Sequence, residues 1–226
     1  MTGCGERTPA STLAPRASAS ASSADAEPFA AGRWGDFSSK RFEMRLPLPD
    51  GHGWKIDDHG DPWLAATHAA SGSELVVRVW GVPGVATRAR CEEDARMRRK
   101  LPGTTAAESE PVAKGGREHA ELVERRTIDA PAGFDTVVEA GVTAPEPPRG
   151  AGAAATGNVA LRGFVVAFGG RKHRCFAYAF TTSATGPGAS QIVGDRLATM
   201  EQGSLAKVAL EEELAPKLGR EPGPGR

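Results

Sequence analysis

An α+β domain built on an antiparallel sheet is the fold class that three observations predict. Short apolar alternations of period two recur along the chain. Two amphipathic stretches interrupt them, giving the order strands, helix, strands, helix. Late in the chain, two β-rich runs flank Gly169-Gly170, a strong hairpin signal because the favoured turns need positive φ.

The elements follow in order. Phe42, Met44, Leu46 and Leu48 alternate with Glu43, Arg45, Pro47 and Pro49, which predicts a strand with one buried face, fading at the prolines. Asp50-Gly51-His52-Gly53 is a turn, and Trp54 to Asp57 a short second strand. Trp63 to His68 and Glu74 to Trp80 form a hairpin through Ala70-Ser71-Gly72. Ala86 to Leu101 reads as a helix ended by Pro102-Gly103, with Cys91, Ala95 and Leu101 inward. Glu92 with Arg96, and Asp94 with Arg98, lie four apart in the acid-first order that stabilises helix surfaces. Thr104 to Ala120 reads as a loop, and Leu122 to Ile128 and Phe134 to Val142 as strands around Pro131. Residues 143–157 are nearly all Ala, Gly and Pro and read as a flexible insertion. Asn158 to Phe168 and Lys172 to Thr182 are the hairpin arms; Phe164, Val166 and Phe168 share one face of the first, and Phe176, Tyr178 and Phe180 one face of the second. Ala189 to Leu210 carries Val193, Leu197, Met200, Ser204 and Val208 at helical spacing.

Composition narrows the function classes. Of 226 residues, 28 are Lys or Arg and 28 are Asp or Glu, a balance that argues against nucleic acid as a partner. No stretch approaches the ~18 apolar residues that a membrane-spanning helix needs. Attachment to a membrane would need another device.

The opening Met1-Thr2-Gly3-Cys4-Gly5 resembles the tail of a bacterial lipobox, in which small residues precede a cysteine that is lipidated and becomes the new N-terminus. The charged and apolar segments of a signal peptide do not precede it, so the expectation is that translation starts upstream. Residues 1–4 would then be a signal remnant with its lipidation site at Cys4, and 5–33 an Ala/Ser/Pro-rich tether. As a flexible coil its ~28 residues span roughly 30 Å. A single domain follows over 34–210, then a charged, Pro/Gly-rich tail over 211–226. Cysteine arithmetic agrees: the chain has three cysteines, and lipidating Cys4 leaves Cys91 and Cys175 for a disulfide in an oxidising compartment.

No nucleophile elbow, phosphate loop, dinucleotide fingerprint or Cys-x-x-Cys pair is present, and no cofactor is implied. His52, His59 and His68, with Asp57, Asp58 and Asp61, are weak metal candidates; solvated turns are the plainer reading. Arg171-Lys172-His173-Arg174 at the hairpin tip could meet a phosphate, but such a cluster more commonly guards a sheet edge. Arg88, Arg90, Arg96, Arg98, Arg99 and Lys100 make the first helix basic, and Glu92, Glu93 and Asp94 offset half of that. Trp54, Trp63 and Trp80, with Trp34, could line a ligand groove, although core filling suits a chain so poor in aromatics.

The run Phe42-Glu43-Met44-Arg45-Leu46-Pro47 followed by Gly53-Trp54-Lys55-Ile56, and the order of elements after it, resemble the PsbP-like (Mog-type) family. That resemblance implies an α-β-α sandwich around an antiparallel sheet. Its members include extrinsic photosystem subunits, a small-GTPase-binding protein and bacterial lipoproteins, and most act by binding or assembling. None of their functional residues matches a position here. The expectation is therefore a lipid-anchored, non-catalytic binding or scaffolding protein of the cell envelope, with a possible protein partner there. The alternatives are an envelope enzyme with a dispersed metal-assisted site and a small-ligand carrier.

Overall fold

The computed structural model of the chain describes residues 29, 33–60, 62–99, 101, 118–145 and 160–211. The readings that fall on Cys4, most of the tether, 146–157 and the tail beyond Glu211 lie outside the described residues. The strands are β1 (Trp34–Ser39), β2 (Met44–Pro49), β3 (Trp54–Asp57), β4 (Leu64–His68) and β5 (Ser73–Gly81). Helix α1 (Arg88–Glu93) follows, then β6 (Glu118–Asp129), β7 (Asp135–Pro145), β8 (Leu161–Arg171) and β9 (Arg174–Ala184). Helix α2 (Ala189–Thr199) and the short β10 (Ala209–Leu210) close the domain.

The α+β class holds. Seven antiparallel strands form one sheet in the order β3-β4-β5-β9-β8-β7-β6, and β1-β2-β10 form a small second sheet. One face of the large sheet carries α1, over Trp63, Trp80, Val137, Phe164, Val166, Phe168 and Ala177. The small sheet and the turns after α2 cover the other face, over Leu64, Leu75, Val77, Val165, Phe176, Tyr178 and Phe180. Strands buried on both faces read as continuous apolar runs, which is why β8 and β9 are so prominent in the sequence.

The hairpin turn differs from the sequence expectation. Gly169 and Gly170 lie within β8, opposite Phe176 and Cys175, and the chain turns at Lys172-His173, with Lys172 at φ 52°. The glycines serve close approach instead. A Cβ on Gly170 would sit 2.3 Å from the carbonyl oxygen of Ala86, where the lead-in to α1 crosses the sheet, and one on Gly169 would sit 2.3 Å from Thr136 Oγ1.

Other boundaries also move. Strand β1 has no apolar alternation to announce it, and it pairs with all of β2. Pro47 and Pro49 are tolerated within β2 because β10 pairs only with Arg45 and Met44, leaving that flank without a ladder partner. The first helix is short: Thr87 caps it, with its side chain accepting from the Arg90 amide, and Asp94–Arg98 form a wide π-helical turn. Cys91, Ala95 and Leu101 do face inward. Strand β6 begins at Glu118, within the expected loop, and β7 runs on through Thr143 into the expected insertion. The last helix ends at Thr199; Met200–Ser204 widen into a π turn, and Val208 leads into β10. Gly203 and Ser204 are weak helix formers, and the chain goes on to pair with β2 at Ala209 and Leu210.

Cys91 of α1 and Cys175 of β9 form a disulfide, with Cα atoms 5.3 Å apart and both residues fully buried. It pins α1 to the sheet centre and closes a loop of 84 residues. On the other face lies Tyr178, the chain's single tyrosine, fully buried. Burial pushes its phenol well above the ordinary value, and the Ser204 hydroxyl offsets part of that rise. The unfolded chain therefore loses this proton first as pH rises past ~10, so the contribution is intact at neutral pH and is lost under alkaline conditions. Tyrosinate absorbance should stay absent from the native protein at about pH 11 and appear with unfolding, and Tyr178→Phe should flatten the alkaline loss of stability. Titration near pH ~10 in folded protein would contradict this burial.

Candidate functional site

Two polar assemblies stand out, at opposite ends of β5. The first lies beneath the start of β5, on the face carrying α2. Strand β4 ends at His68, whose ring is wholly buried. Its Nε2 lies 3.2 Å from Asp50 Oδ2 and its Nδ1 2.7 Å from Ser71 Oγ. Ser71 Oγ donates to Ser73 Oγ (2.7 Å), and Ser73 Oγ donates to Thr182 Oγ1 (2.8 Å). Arg196 of α2, itself buried, ends the line. Its Nη1 donates to Thr182 Oγ1 (3.1 Å), Ser71 O (2.8 Å) and Ser183 O (3.0 Å). Gly53 makes room for the ring, since a Cβ there would lie 2.3 Å from His68 Nε2.

The rings of Trp54, Phe180 and Phe29 close over this line. Phe29 falls in the segment expected as tether, yet it is buried, its centroid 5.3 Å from that of His68. Asp50, His68 and Ser71 have the residue types of a charge relay. The Ser71 hydroxyl is buried and engaged with Ser73, so it presents no face to a reacting atom. The assembly ties β2–β3, β4, β5, β9 and α2 together. Buried polar groups that are mutually satisfied avoid the cost of desolvation without a partner.

The three histidines lie apart. His68 is enclosed with both ring nitrogens engaged, whereas His52 and His59 are exposed on turns. The amides of His59 and Gly60 both donate to Asp57 Oδ1 at 2.9 Å, and they hold that carboxyl below the ordinary value. Among the described residues no three His, Cys, Asp or Glu side chains gather as a metal site requires. The tryptophans divide as well. Trp54 packs on the α2 face and Trp63 and Trp80 on the α1 face, all buried, so they share no groove. Their indole N–H groups donate to Pro49 O, Arg99 O and Asp94 Oδ2.

The second assembly surrounds α1. On its sheet side, Arg96 and Arg125 interlock with Glu92 and the buried Glu139 at 2.7–3.3 Å, and the Arg96 guanidinium covers the Phe168 ring. On its outer side, the loop after β5 is pinned to the hairpin tip: Val82 N donates to His173 O, Ala86 N to Lys172 O, and His173 Nδ1 to Gly84 O. The basic tip read as a possible phosphate contact thus holds this loop, with Arg174 paired to Glu43 and Arg171 donating to Ala132 O.

Between loop and helix lies a cleft of about 420 Å³, lined by Gly81, Val82, Pro83, Arg90, Glu93, Asp94, Arg98 and Arg99. Arg90 Nη1 donates to the carbonyls of Pro83 (2.7 Å) and Val85 (3.3 Å). Asp94 receives Arg99 Nε at 2.9 Å and faces Arg98 Nε at 3.7 Å. The π turn brings these three together, because the Arg99 amide bonds back five residues to Asp94 O. Val85 and Met97 are exposed.

No family model matches the chain, and no curated protein matches it in sequence. Solved structures similar to it include a point mutant of protein Mog1, at 11% identity and a TM-score of 0.45, covering 79% of this chain and 96% of that one. The Saccharomyces cerevisiae Ran-binding protein Mog1p is similar at 10% identity and a TM-score of 0.38, with the same coverage. A Bacteroides thetaiotaomicron protein is similar at 10% identity and a TM-score of 0.37 over 77% of this chain, which spans about half (47%) of its length. No site residue is carried across from any of them.

The buried line gives the sharpest stability test. His68→Leu leaves the Ser71 hydroxyl and Asp50 without their partner and should cost about 1–3 kcal/mol in urea unfolding. A variant as stable as the parent would contradict the role given to His68.

Proposed function

We propose that this chain is an exported lipoprotein, anchored to a membrane of the cell envelope through Cys4, whose folded domain binds or scaffolds rather than catalyses. The observation that carries the reading is the buried Cys91–Cys175 bridge. Structural disulfides belong to oxidising compartments, and pairing these two leaves Cys4 as the remaining cysteine, behind Thr2 and Gly3 as a lipobox arranges them. The non-catalytic half is supported by the use the fold makes of its reactive groups. His68 and Ser71 are enclosed, and Glu92 and Glu139 are locked in ion pairs. With Phe29 docked, the tether between Cys4 and the domain is slightly shorter than composition implied, which keeps the domain within a few nanometres of its membrane.

Intact mass of the protein from its native host, before and after reduction, tests both parts of the anchor. The expected result is a chain beginning at Cys4, carrying acyl groups and gaining about 2 Da on reduction. An unacylated chain with three free thiols would overturn export and anchoring together.

A further inference from the structure

We infer that the cleft between the β5–α1 loop and the π turn after α1 is a binding site for a compact oxyanion that carries a neighbouring hydrogen-bond donor, of which a phosphorylated amino alcohol is the simplest case. The inference rests on reading the domain as a binder, and it is independent of the anchor at Cys4.

Charge is the first ground. Three guanidiniums line the cleft against two carboxylates. Asp94 is held by the Trp80 indole N–H (2.7 Å) and Arg99 (2.9 Å), and it is shared with Arg98. Arg90 is held by backbone carbonyls, which orient a guanidinium without cancelling its charge. The lining therefore keeps a positive excess, with Arg90 and Arg99 held in place and Arg98 largely exposed.

Geometry is the second ground. Arg98 and Arg99 both meet Asp94 through Nε, which leaves each guanidinium with further N–H groups to donate. A planar guanidinium held along one edge offers the other as a fork that matches a phosphate or carboxylate. Arg99 is fixed further by stacking on Trp80, 4.9 Å from the ring centroid. The walls are rigid as well. The disulfide holds α1 to β9 under the cleft, and the loop is bonded to the hairpin tip at Val82 and Ala86. Donors fixed in advance lose little freedom on binding.

Glu93 supplies selectivity. It is the second carboxylate of the lining and is exposed to the cleft's solvent. A bare anion meets its repulsion, whereas a ligand with an amine or hydroxyl next to the anion can donate to it. Val82 and Pro83 leave an apolar wall for a short carbon linker.

Calorimetric titration of the full chain with O-phosphoethanolamine and with inorganic phosphate tests this. The expected result is saturable binding with phosphoethanolamine the tighter ligand. Arg98→Ala should weaken both by about tenfold. The Arg98 side chain is 78% exposed and its Asp94 contact is long, so this variant should keep the parent's unfolding curve. Glu93→Gln should reverse the preference, tightening inorganic phosphate by about threefold while weakening phosphoethanolamine. Sedimentation with phosphatidylethanolamine vesicles separates the sources. Vesicle binding that soluble phosphoethanolamine competes away assigns the ligand to a lipid headgroup, and its absence assigns it to a free metabolite, with the site standing in both cases. No saturable binding of either soluble probe, or binding unchanged in Arg98→Ala, would overturn the site while leaving the native-host mass result untouched.

Discussion

The pairing of β8 with β9 is the constraint on which the rest of this molecule depends. Across its middle, from Val166 to Gly169, the hairpin sets a larger side chain against a small one, and the larger partner changes sides with the face. Toward α1, Phe168 faces Ala177 and Val166 faces Ala179; toward the small sheet, Phe176 faces Gly169 and Tyr178 faces Ala167. Both layers can therefore seat closely on two central strands without voids, the condition for dispersion to stabilise a core this poor in aromatics. The disulfide from Cys175 and the line of hydroxyls through Thr182 start from the same strand, on opposite faces.

Around that centre the polar groups divide into two kinds. Those beneath α2 are sealed and satisfy one another, so they give the end of the sheet a defined geometry and offer nothing to solvent. Those at the outer edge of α1 are only half neutralised and stay open.

Much of this was legible in the sequence because it is local. The apolar runs of β5, β8 and β9 and the inward set Cys91, Ala95 and Leu101 needed only spacing and composition, and the pairing of Cys91 with Cys175 needed in addition the assignment of Cys4 to a lipid. What was not legible depends on distant partners. Strand β1 alternates weakly because its outer side faces water, and β10 is two residues long. Gly169-Gly170 carried a turn signal, but their role is close approach to Ala86 and Thr136, which are remote in sequence. Phe29 looked like tether because its neighbours are small and polar; its partners Trp54, His68 and Phe180 meet only in the fold. Arg196 interrupts an apolar helix and gives no local hint that Ser71 and Thr182 await it. The cleft depends on a π turn, which shifts Arg99 relative to the positions that regular helical spacing assigns.

Native-state hydrogen exchange tests the central role of the hairpin most directly. If β8 and β9 hold both layers, the amides of Val165, Val166, Ala177 and Tyr178 should exchange only through global unfolding, while β1 and the outer strand β6 open at lower free energy. Exchange from β8 and β9 through a cheaper local opening, with α1 or the small sheet still protected, would contradict the account.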